Sequence, residues 1–369
     1  MKAEILVSNL VSKLSFINHA ISTKSQLPIL LNLLIETKDA KLRFSSTDLE
    51  IGIETSIAAN IVEEGSIAVP AKIFTELIAS LSDTKVILQT SKNTLDVISK
   101  KSKSVLQTMP ASDFPKLYDG RGESVAIMDD KELRSKLSSV VFSASADTTR
   151  PALSGVLVRP EVEGFLLVAT NGFRLSLQHY KAKTTSGVNS QKSFIVPARV
   201  FRELLSINEE RREVEMYVAE ASNQICFKQG ETLLIGRLIE AEFPNFQKII
   251  PSDFSLNVAF DREEMLSAVK ICSIFARDSA NIVKFHLEKD HITVSSQSPS
   301  VGGNTVDVDA KLLGEENEIA FNAKYLLDLF GSLTEDRLIF EMIGPLNPGV
   351  FRIQGDDSFL HLIMPIRTG

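Results

Sequence analysis

One helical segment recurs three times in this chain, and this repetition constrains the fold more than any other feature. The copies read Val-Pro-Ala-Lys at 69–72, Val-Pro-Ala-Arg at 196–199 and Phe-Asn-Ala-Lys at 321–324, so they are spaced 127 and 125 residues apart. After each copy the apolar residues recur at i, i+1, i+4 and i+5, which places one apolar stripe along a helix of period 3.6. Proline at the start of two copies suits a first helical position, where no amide hydrogen bond is lost. The pattern predicts three equivalent helices.

The fourth residue of each copy is a cation: Lys72, Arg199 and Lys324. A positive charge in the first turn of a helix opposes the macrodipole by a few tenths to about 1 kcal/mol. Three such placements indicate that the cations have a use outside the chain. Three solvated side chains that are alike by coincidence would give the same pattern.

The period is too long for a solenoid repeat and is long enough for a domain with its own core. Around each copy the same order of elements recurs: a long amphipathic helix, several strands, the recurring helix and further strands. We therefore predict an α+β fold of three repeated domains, at 1–120, 124–251 and 254–369, each with two helices packed on antiparallel sheets. If successive repeats meet in the same way, each chain ends with two unused complementary faces. Such a head-to-tail contact must either close or polymerise.

Composition points to an ordinary globular protein. Apolar residues make up 44% and charged residues 24% of the chain, and the net charge of −7 argues against a surface that binds nucleic acid everywhere. No uncharged run is long enough to span a bilayer, and Met1–Glu4 is not followed by a continuous apolar core, so we expect a cytoplasmic protein without a membrane partner. Only Cys226 and Cys272 are present, and we expect buried free thiols.

The sequence carries no recognised catalytic motif. It contains no GxxxxGK[ST], GxGxxG, GxSxG or HExxH pattern, and its five histidines are scattered. His286 and His291 flank a segment that resembles a hairpin turn, which favours a turn over a metal site. We expect no catalytic residues, no metal and no cofactor, and an enzyme with an unfamiliar type of active site is the alternative.

Three features together resemble one known family: the triplicated α+β repeat, the segment Ala-Thr-Asn-Gly-Phe-Arg-Leu-Ser at 169–176, and the terminus His-Leu-Ile-Met-Pro-Ile-Arg at 361–367. The chain is similar over essentially its whole length to the bacterial DNA polymerase III beta subunit, the sliding clamp. This resemblance implies a head-to-tail homodimer, a ring of clamp domains around double-stranded DNA. It also implies a non-catalytic processivity factor whose partners are the replicative DNA polymerase, the clamp loader and other clamp-motif proteins. The alternative is a triplicated protein-interaction scaffold that does not encircle DNA.

The resemblance also implies sites, position by position. A pocket for partner peptides would comprise Leu153, Thr170, Gly172, Phe173, Arg174, Leu175, Pro244, Lys248, Ile249, Tyr325, Leu346, Pro348, Leu362, Ile363, Met364, Pro365, Ile366 and Arg367. Two positions depart from the family pattern: Lys248 stands where arginine is frequent, and Thr368 follows Arg367 where leucine is common. For Leu362 and Ile363, membership of the core as part of a final strand is the open alternative.

The same resemblance implies residues for DNA and for the dimer seam. Lys24 and Arg150 match loop positions that contact the duplex, and the cations of the recurring helices would face it as well. Plain exposed loop cations are the alternative for both loop residues. At the seam the matching residues are Leu106, Ile274 and Phe275, although Phe275 ends an amphipathic helix and could belong to a domain core. We expect the DNA contact to be electrostatic and independent of sequence, since no aromatic stacking residues accompany these cations.

Overall fold

The computed structural model describes residues 1–22, 25–118, 120, 122–184 and 192–367. Within these residues, each of the three predicted repeats contains two α-helices. The helices are α1 (Val7–Ile17), α2 (Ala71–Ser80), α3 (Asp130–Val141), α4 (Ala198–Ser206), α5 (Arg262–Ala276) and α6 (Ala323–Ser332).

Most of the remaining regular structure in the described residues consists of β-strands, and short 3₁₀ turns such as Asn18–Ala20 and Phe246–Ile249 lie between some of the longer elements. The strands before α3 are β1 (Lys2–Leu6), β2 (Asn32–Lys38), β3 (Lys41–Thr47), β4 (Ile51–Ala58), β5 (Asn60–Glu63), β6 (Ser66–Pro70), β7 (Lys85–Ser91), β8 (Thr94–Ile98), β9 (Lys103–Gln107) and β10 (Glu123–Asp129). Those between α3 and α5 are β11 (Gly155–Glu161), β12 (Gly164–Thr170), β13 (Arg174–Lys181), β14 (Lys183–Thr184), β15 (Phe194–Pro197), β16 (Glu213–Ala219), β17 (Gln224–Gln229), β18 (Thr232–Arg237) and β19 (Leu256–Asp261). The last are β20 (Ile282–Leu287), β21 (His291–Ser298), β22 (Gly302–Leu313), β23 (Asn317–Asn322), β24 (Arg337–Met342), β25 (Gly349–Ile353) and β26 (Asp356–Ile363).

Backbone contacts divide the chain into two compact units. The first is formed mainly by 1–130 and 199–238, and the second mainly by 131–183, 192–198 and 239–367. In the first unit, β5, β1, β7, β8 and β9 form one sheet in that order, and β10, β16, β17, β18, β4, β3, β2 and β6 are successive neighbours in another. In the second unit one sheet of twelve strands runs β15, β11, β12, β13, β26, β25, β24, β19, β22, β21, β20, β23. The strand pairs with a defined register are antiparallel, as alternating apolar residues predict.

The core of the second unit is rich in phenylalanine. Phe321 and Phe340 meet edge to face with ring centroids 6.0 Å apart, and both also contact Phe285 and Phe351. Gly349 allows this close packing, because a Cβ at that position would lie 2.5 Å from the Phe321 ring. Edge-to-face pairs add about 0.5 to 1.5 kcal/mol each to the apolar burial.

The three recurring helices form, but two start one residue later than predicted. Pro70 and Pro197 are the last residues of β6 and β15, and Ala71 and Ala198 begin the helices. Pro70 has φ −56° and ψ 108°, so its ring fixes φ while the backbone is still extended. The third copy has an asparagine at this place. Its Asn322 Oδ1 accepts a hydrogen bond from the Lys324 amide at 2.9 Å, which caps α6.

Both cysteines are buried free thiols, as predicted. Burial raises the pKa of Cys272 to about 11, so the thiolate is disfavoured and a reactive role is not supported. No helix in the described part of the chain has the length and apolar character needed to cross a membrane.

Candidate functional site

Strand pairing in the second unit brings two of the predicted pocket segments together. β13 lies antiparallel to β26, with Arg174 opposite Ile363 and Leu175 opposite Leu362. The turn that precedes β13 and the tail that follows β26 therefore lie at the same end of these two strands. The segments 170–175 and 362–367 are therefore neighbours within this unit, and the pocket itself stays a prediction.

The turn between β12 and β13 is held by its own polar side chains. Asn171 Oδ1 accepts hydrogen bonds from the amides of Phe173 (2.9 Å) and Arg174 (3.0 Å), and the Thr170 hydroxyl donates to the Arg174 carbonyl at 2.7 Å. Gly172 has φ +93°, a conformation that side chains rarely adopt. The turn presents Phe173 to solvent with 58% of its surface exposed.

The tail after β26 is fixed by backbone hydrogen bonds on two sides. The Met364 amide donates to the Phe173 carbonyl at 2.8 Å, and the Ile366 amide donates to the Ala320 carbonyl of β23 at 2.8 Å. Met364 is 39% exposed. The tail thus places a half-exposed apolar side chain next to the turn that carries Phe173.

One core cluster connects all three predicted pocket segments. Leu175 and Leu362 are buried in it, together with Phe246 from a short 3₁₀ turn at Phe246–Ile249. Ile363, on the opposite face of β26, belongs to the phenylalanine-rich core. The alternative that the sequence left open holds for both Leu362 and Ile363, because each is buried in a core cluster.

The predicted pocket residues fall into three classes of exposure. The buried ones are Thr170, Arg174, Leu175, Leu362 and Ile363. The half-buried ones are Leu153, Tyr325, Pro348, Pro365 and Ile366, and the exposed ones are Gly172, Phe173, Pro244, Lys248, Ile249, Leu346, Met364 and Arg367. A cavity of 370 Å³ next to Pro244 is lined by further apolar residues, Leu157, Ile195, Phe243 and Phe246 among them. The sequence did not indicate this cavity.

The Arg174 side chain is buried and leads away from the turn. Its guanidinium lies 4.7 Å from the centre of the Tyr325 ring and 5.1 Å from that of Phe142. It donates to Asp328 Oδ2 of α6 at 2.6 Å and to the Phe142 carbonyl at 2.5 Å. Sequence analysis missed Asp328 and Phe142, because neither belongs to a motif or lies near Arg174 in the chain.

A buried polar network lies beside this arginine. His361 Nδ1 is 2.7 Å from the Ser176 hydroxyl, which is 2.8 Å from the Ser143 hydroxyl. Burial, with a smaller contribution from the positive charge of Arg174, holds the pKa of His361 well below its ordinary value. His361 is therefore neutral at physiological pH. This network could not be predicted from the sequence, because Ser143, Ser176 and His361 lie far apart in the chain.

The predicted DNA-binding cations have different surroundings. Lys72 and Lys324 are exposed on the first turns of α2 and α6. Arg199 donates to Asp48 Oδ2 at 2.5 Å and to the His19 carbonyl at 3.0 Å. This cation in the first turn of a helix therefore has partners within the chain. Lys24 lies outside the described residues.

Arg150, the other loop cation, pairs with Asp147 at 3.3 Å. Hydrogen bonds from Thr149, supported by Arg150, lower the pKa of Asp147. The loop keeps an exposed guanidinium beside an ionised carboxylate, and an anionic partner would compete with that carboxylate.

The three predicted seam residues are not equally accessible. Ile274 is 57% exposed on α5, Phe275 is half-buried and Leu106 is 9% exposed on β9. Ile271 of the same helix is also exposed, at 44%, so α5 presents two neighbouring apolar side chains to solvent. As for metals, no group of three histidine, cysteine, aspartate or glutamate side chains in the described ranges could hold an ion.

Comparison with known families gives a consistent match along the chain. Residues 1–118 match the N-terminal domain of the DNA polymerase III beta subunit, residues 127–245 its central domain and residues 247–367 its C-terminal domain. The matched segments follow the three predicted repeats in order. The repeat boundaries 1–120, 124–251 and 254–369 stay a prediction.

Individual proteins and solved structures agree. The chain is 29% identical over 360 residues to the beta sliding clamp of Staphylococcus aureus (strain Mu50 / ATCC 700699), covering 95% of this chain and 94% of that protein. It is similar over 100% of both chains to the crystal structure of the DNA polymerase sliding clamp from Bacillus subtilis, with a TM-score of 0.94 and 27% identity. A sliding clamp from Bartonella birtlesii, solved bound to griselimycin, is 26% identical with a TM-score of 0.92, again over 100% of both chains.

Proposed function

Because the chain belongs to the DNA polymerase III beta subunit family, we propose that it is a sliding clamp that encircles duplex DNA and tethers the replicative polymerase and other replication or repair factors. The chain is a non-catalytic processivity factor. One observation carries this conclusion: the three domains of the family match in order, and the fold agrees over the whole chain with a Bacillus subtilis sliding clamp.

The proposed assembly is a head-to-tail homodimer that closes into a ring in the cytoplasm. Ile274 and Phe275 of one chain would meet the Leu106 region of the other, since repetition leaves complementary faces unused at the two ends of a chain. Lys72 and Lys324 are exposed and available for phosphates, and Arg150, Arg199 and Lys24 are further candidates. Because a closed ring holds DNA topologically, weak contacts that do not read sequence suffice.

The proposed peptide pocket is built around the exposed members of the predicted set. Phe173, Ile249, Leu346 and Met364 offer apolar contacts, and Lys248 can orient a polar or acidic group of the ligand. The ligand is a linear segment with a glutamine and spaced leucine or phenylalanine anchors. Each anchor buried there contributes roughly 1.5 to 3 kcal/mol before the cost of ordering the peptide.

Imaging of the purified protein by electron microscopy tests the assembly. We expect closed rings of uniform size that contain two chains. Separate chains or open filaments at micromolar protein concentration would contradict the clamp and would favour an interaction scaffold that does not encircle DNA.

Removal of residues 364–369 tests the pocket. This truncation deletes Met364 and the hydrogen bonds to the Phe173 and Ala320 carbonyls, but it leaves β26 complete. We expect binding of a clamp-motif peptide to be abolished in calorimetry, while sedimentation still shows the dimer. Unchanged peptide affinity would mean that the tail only ends the fold and that the pocket lies elsewhere.

A further inference from the structure

The side chain of Arg174 connects the predicted peptide turn to a helix with a predicted DNA contact. Its backbone belongs to the turn, whereas its guanidinium reaches Asp328 of α6 at 2.6 Å. Lys324 is the second residue of the same helix, so Asp328 follows it by four residues. Side chains four residues apart are neighbours on a helix surface. Asp328 therefore lies one helical turn from Lys324, the residue proposed to bind a DNA phosphate.

The position of the guanidinium is strongly fixed. Only 7% of the Arg174 side chain is exposed, and the rings of Phe142 and Tyr325 both contact it. The Phe142 carbonyl accepts a second hydrogen bond, at 2.5 Å. A planar fork that serves two acceptors and packs against aromatic rings is a task for arginine that lysine cannot reproduce.

The charge of Asp328 matters for DNA. The carboxylate is 32% exposed, so water screens it only in part. An unpaired carboxylate four residues after Lys324 would attract the ammonium group along the helix and would repel a phosphate that approaches it. Because Arg174 binds Asp328, it offsets this charge and leaves Lys324 available.

We propose that Arg174 is a positioning residue for DNA binding: by pairing with Asp328 it frees Lys324 to contact a phosphate of the DNA backbone. This inference rests on the proposed clamp function, in which Lys324 faces the duplex. The Arg174 side chain would then support DNA binding by α6, while the Arg174 backbone forms part of the predicted peptide turn.

Four variants of the full-length protein test the inference, with a short fluorescent linear duplex at low salt as the probe. They are Lys324→Ala, Arg174→Gln, Asp328→Asn and the double variant Arg174→Gln/Asp328→Asn. Arg159→Gln is the matched control, because it also removes an arginine that lies over a phenylalanine ring, that of Phe246. Circular dichroism and sedimentation establish that each variant is folded and dimeric.

We expect Lys324→Ala and Arg174→Gln each to weaken binding by about two- to five-fold, and Arg159→Gln to leave it near the wild-type value. Asp328→Asn should bind as tightly as the wild type or more tightly, and the double variant should return to the wild-type affinity. A purely structural role of the ion pair would instead make Asp328→Asn weaken binding as Arg174→Gln does, with no recovery in the double variant.

The variants distinguish an error in the proposed DNA contact of α6 from an error in the proposed role of Arg174. If Lys324→Ala binds DNA like the wild type, the DNA contact of α6 in the proposed function is wrong, and the role of Arg174 falls with it. If Lys324→Ala is weaker but Asp328→Asn is weaker too, the clamp function stands and only the inference about Arg174 is overturned.

Discussion

At the scale of single residues, the buried polar side chain of His361 bears on how the stability of the second unit depends on pH. His361 is completely buried, and its Nδ1 contacts a serine hydroxyl while the aromatic ring of Phe142 lies 5.3 Å away. Burial disfavours the charged imidazolium, so the pKa of His361 is lowered and the neutral form is favoured. The burial of this imidazole therefore lowers the stability of the fold when the solution becomes acidic.

We predict that His361 makes the protein sensitive to acid. The folded-state pKa is depressed, so below pH about 6.5 the unfolded chain binds the proton more readily and stability is lost as pH falls. The free energy of unfolding should therefore be lower at pH 5 than at pH 7. Urea denaturation at both pH values should show it in the wild type and not in His361→Gln.

The exposed His179, on the neighbouring strand β13, provides the control. His179→Gln should keep the acid sensitivity of the wild type. If His361→Gln loses as much stability as the wild type between pH 7 and pH 5, the acid sensitivity arises at other groups.

Regular elements were predictable because their signal is local. The apolar periodicity places the recurring helices within one residue of α2, α4 and α6. Where the backbone tightens, the periodicity is less informative: helix α1 ends at Ile17, and a 3₁₀ turn at Asn18–Ala20 follows it. The partner of Arg199 could not be predicted, since Asp48 lies 151 residues away in the chain and only the fold brings the two together.

We predict that the three cations of the recurring helices differ in their contribution to stability. Arg199→Ala removes hydrogen bonds to Asp48 and the His19 carbonyl and should lower the free energy of unfolding by about 1 kcal/mol, a value reduced by its partial exposure. Lys72→Ala and Lys324→Ala should change it by no more than about 0.5 kcal/mol. Urea denaturation of the three variants measures this difference, and equal effects would contradict it.

At the scale of the whole molecule, the resemblance to a family predicts more of the candidate site than the apolar periodicity does. The pocket segments were named from motifs, and the pairing of β13 with β26 explains why two of them meet. Exposure could not be read from the chain: Thr170, Arg174, Leu175, Leu362 and Ile363 are buried, because strand alternation and tertiary packing decide which side chain faces inward.

The proposed seam can be tested at its most exposed apolar residue. Ile274→Asp places a charge where Ile274 is 57% exposed in the single chain, so folding is preserved while a buried contact between chains is lost. Sedimentation at micromolar concentration should show single chains. Val162→Asp, at a position that is 99% exposed and outside the predicted seam, should remain a dimer. A dimeric Ile274→Asp would place the seam on another surface.

Retention on circular DNA tests the central claim most directly, since only a closed ring is held by topology. The protein is loaded onto nicked circular DNA by a clamp loader and passed through a sizing column at high salt, before and after the circle is cut once. We expect it to stay with the intact circle and to be released when the DNA is linearised. Release from both forms, or equal retention on both, would contradict encirclement and leave the chain as a protein that merely adheres to DNA.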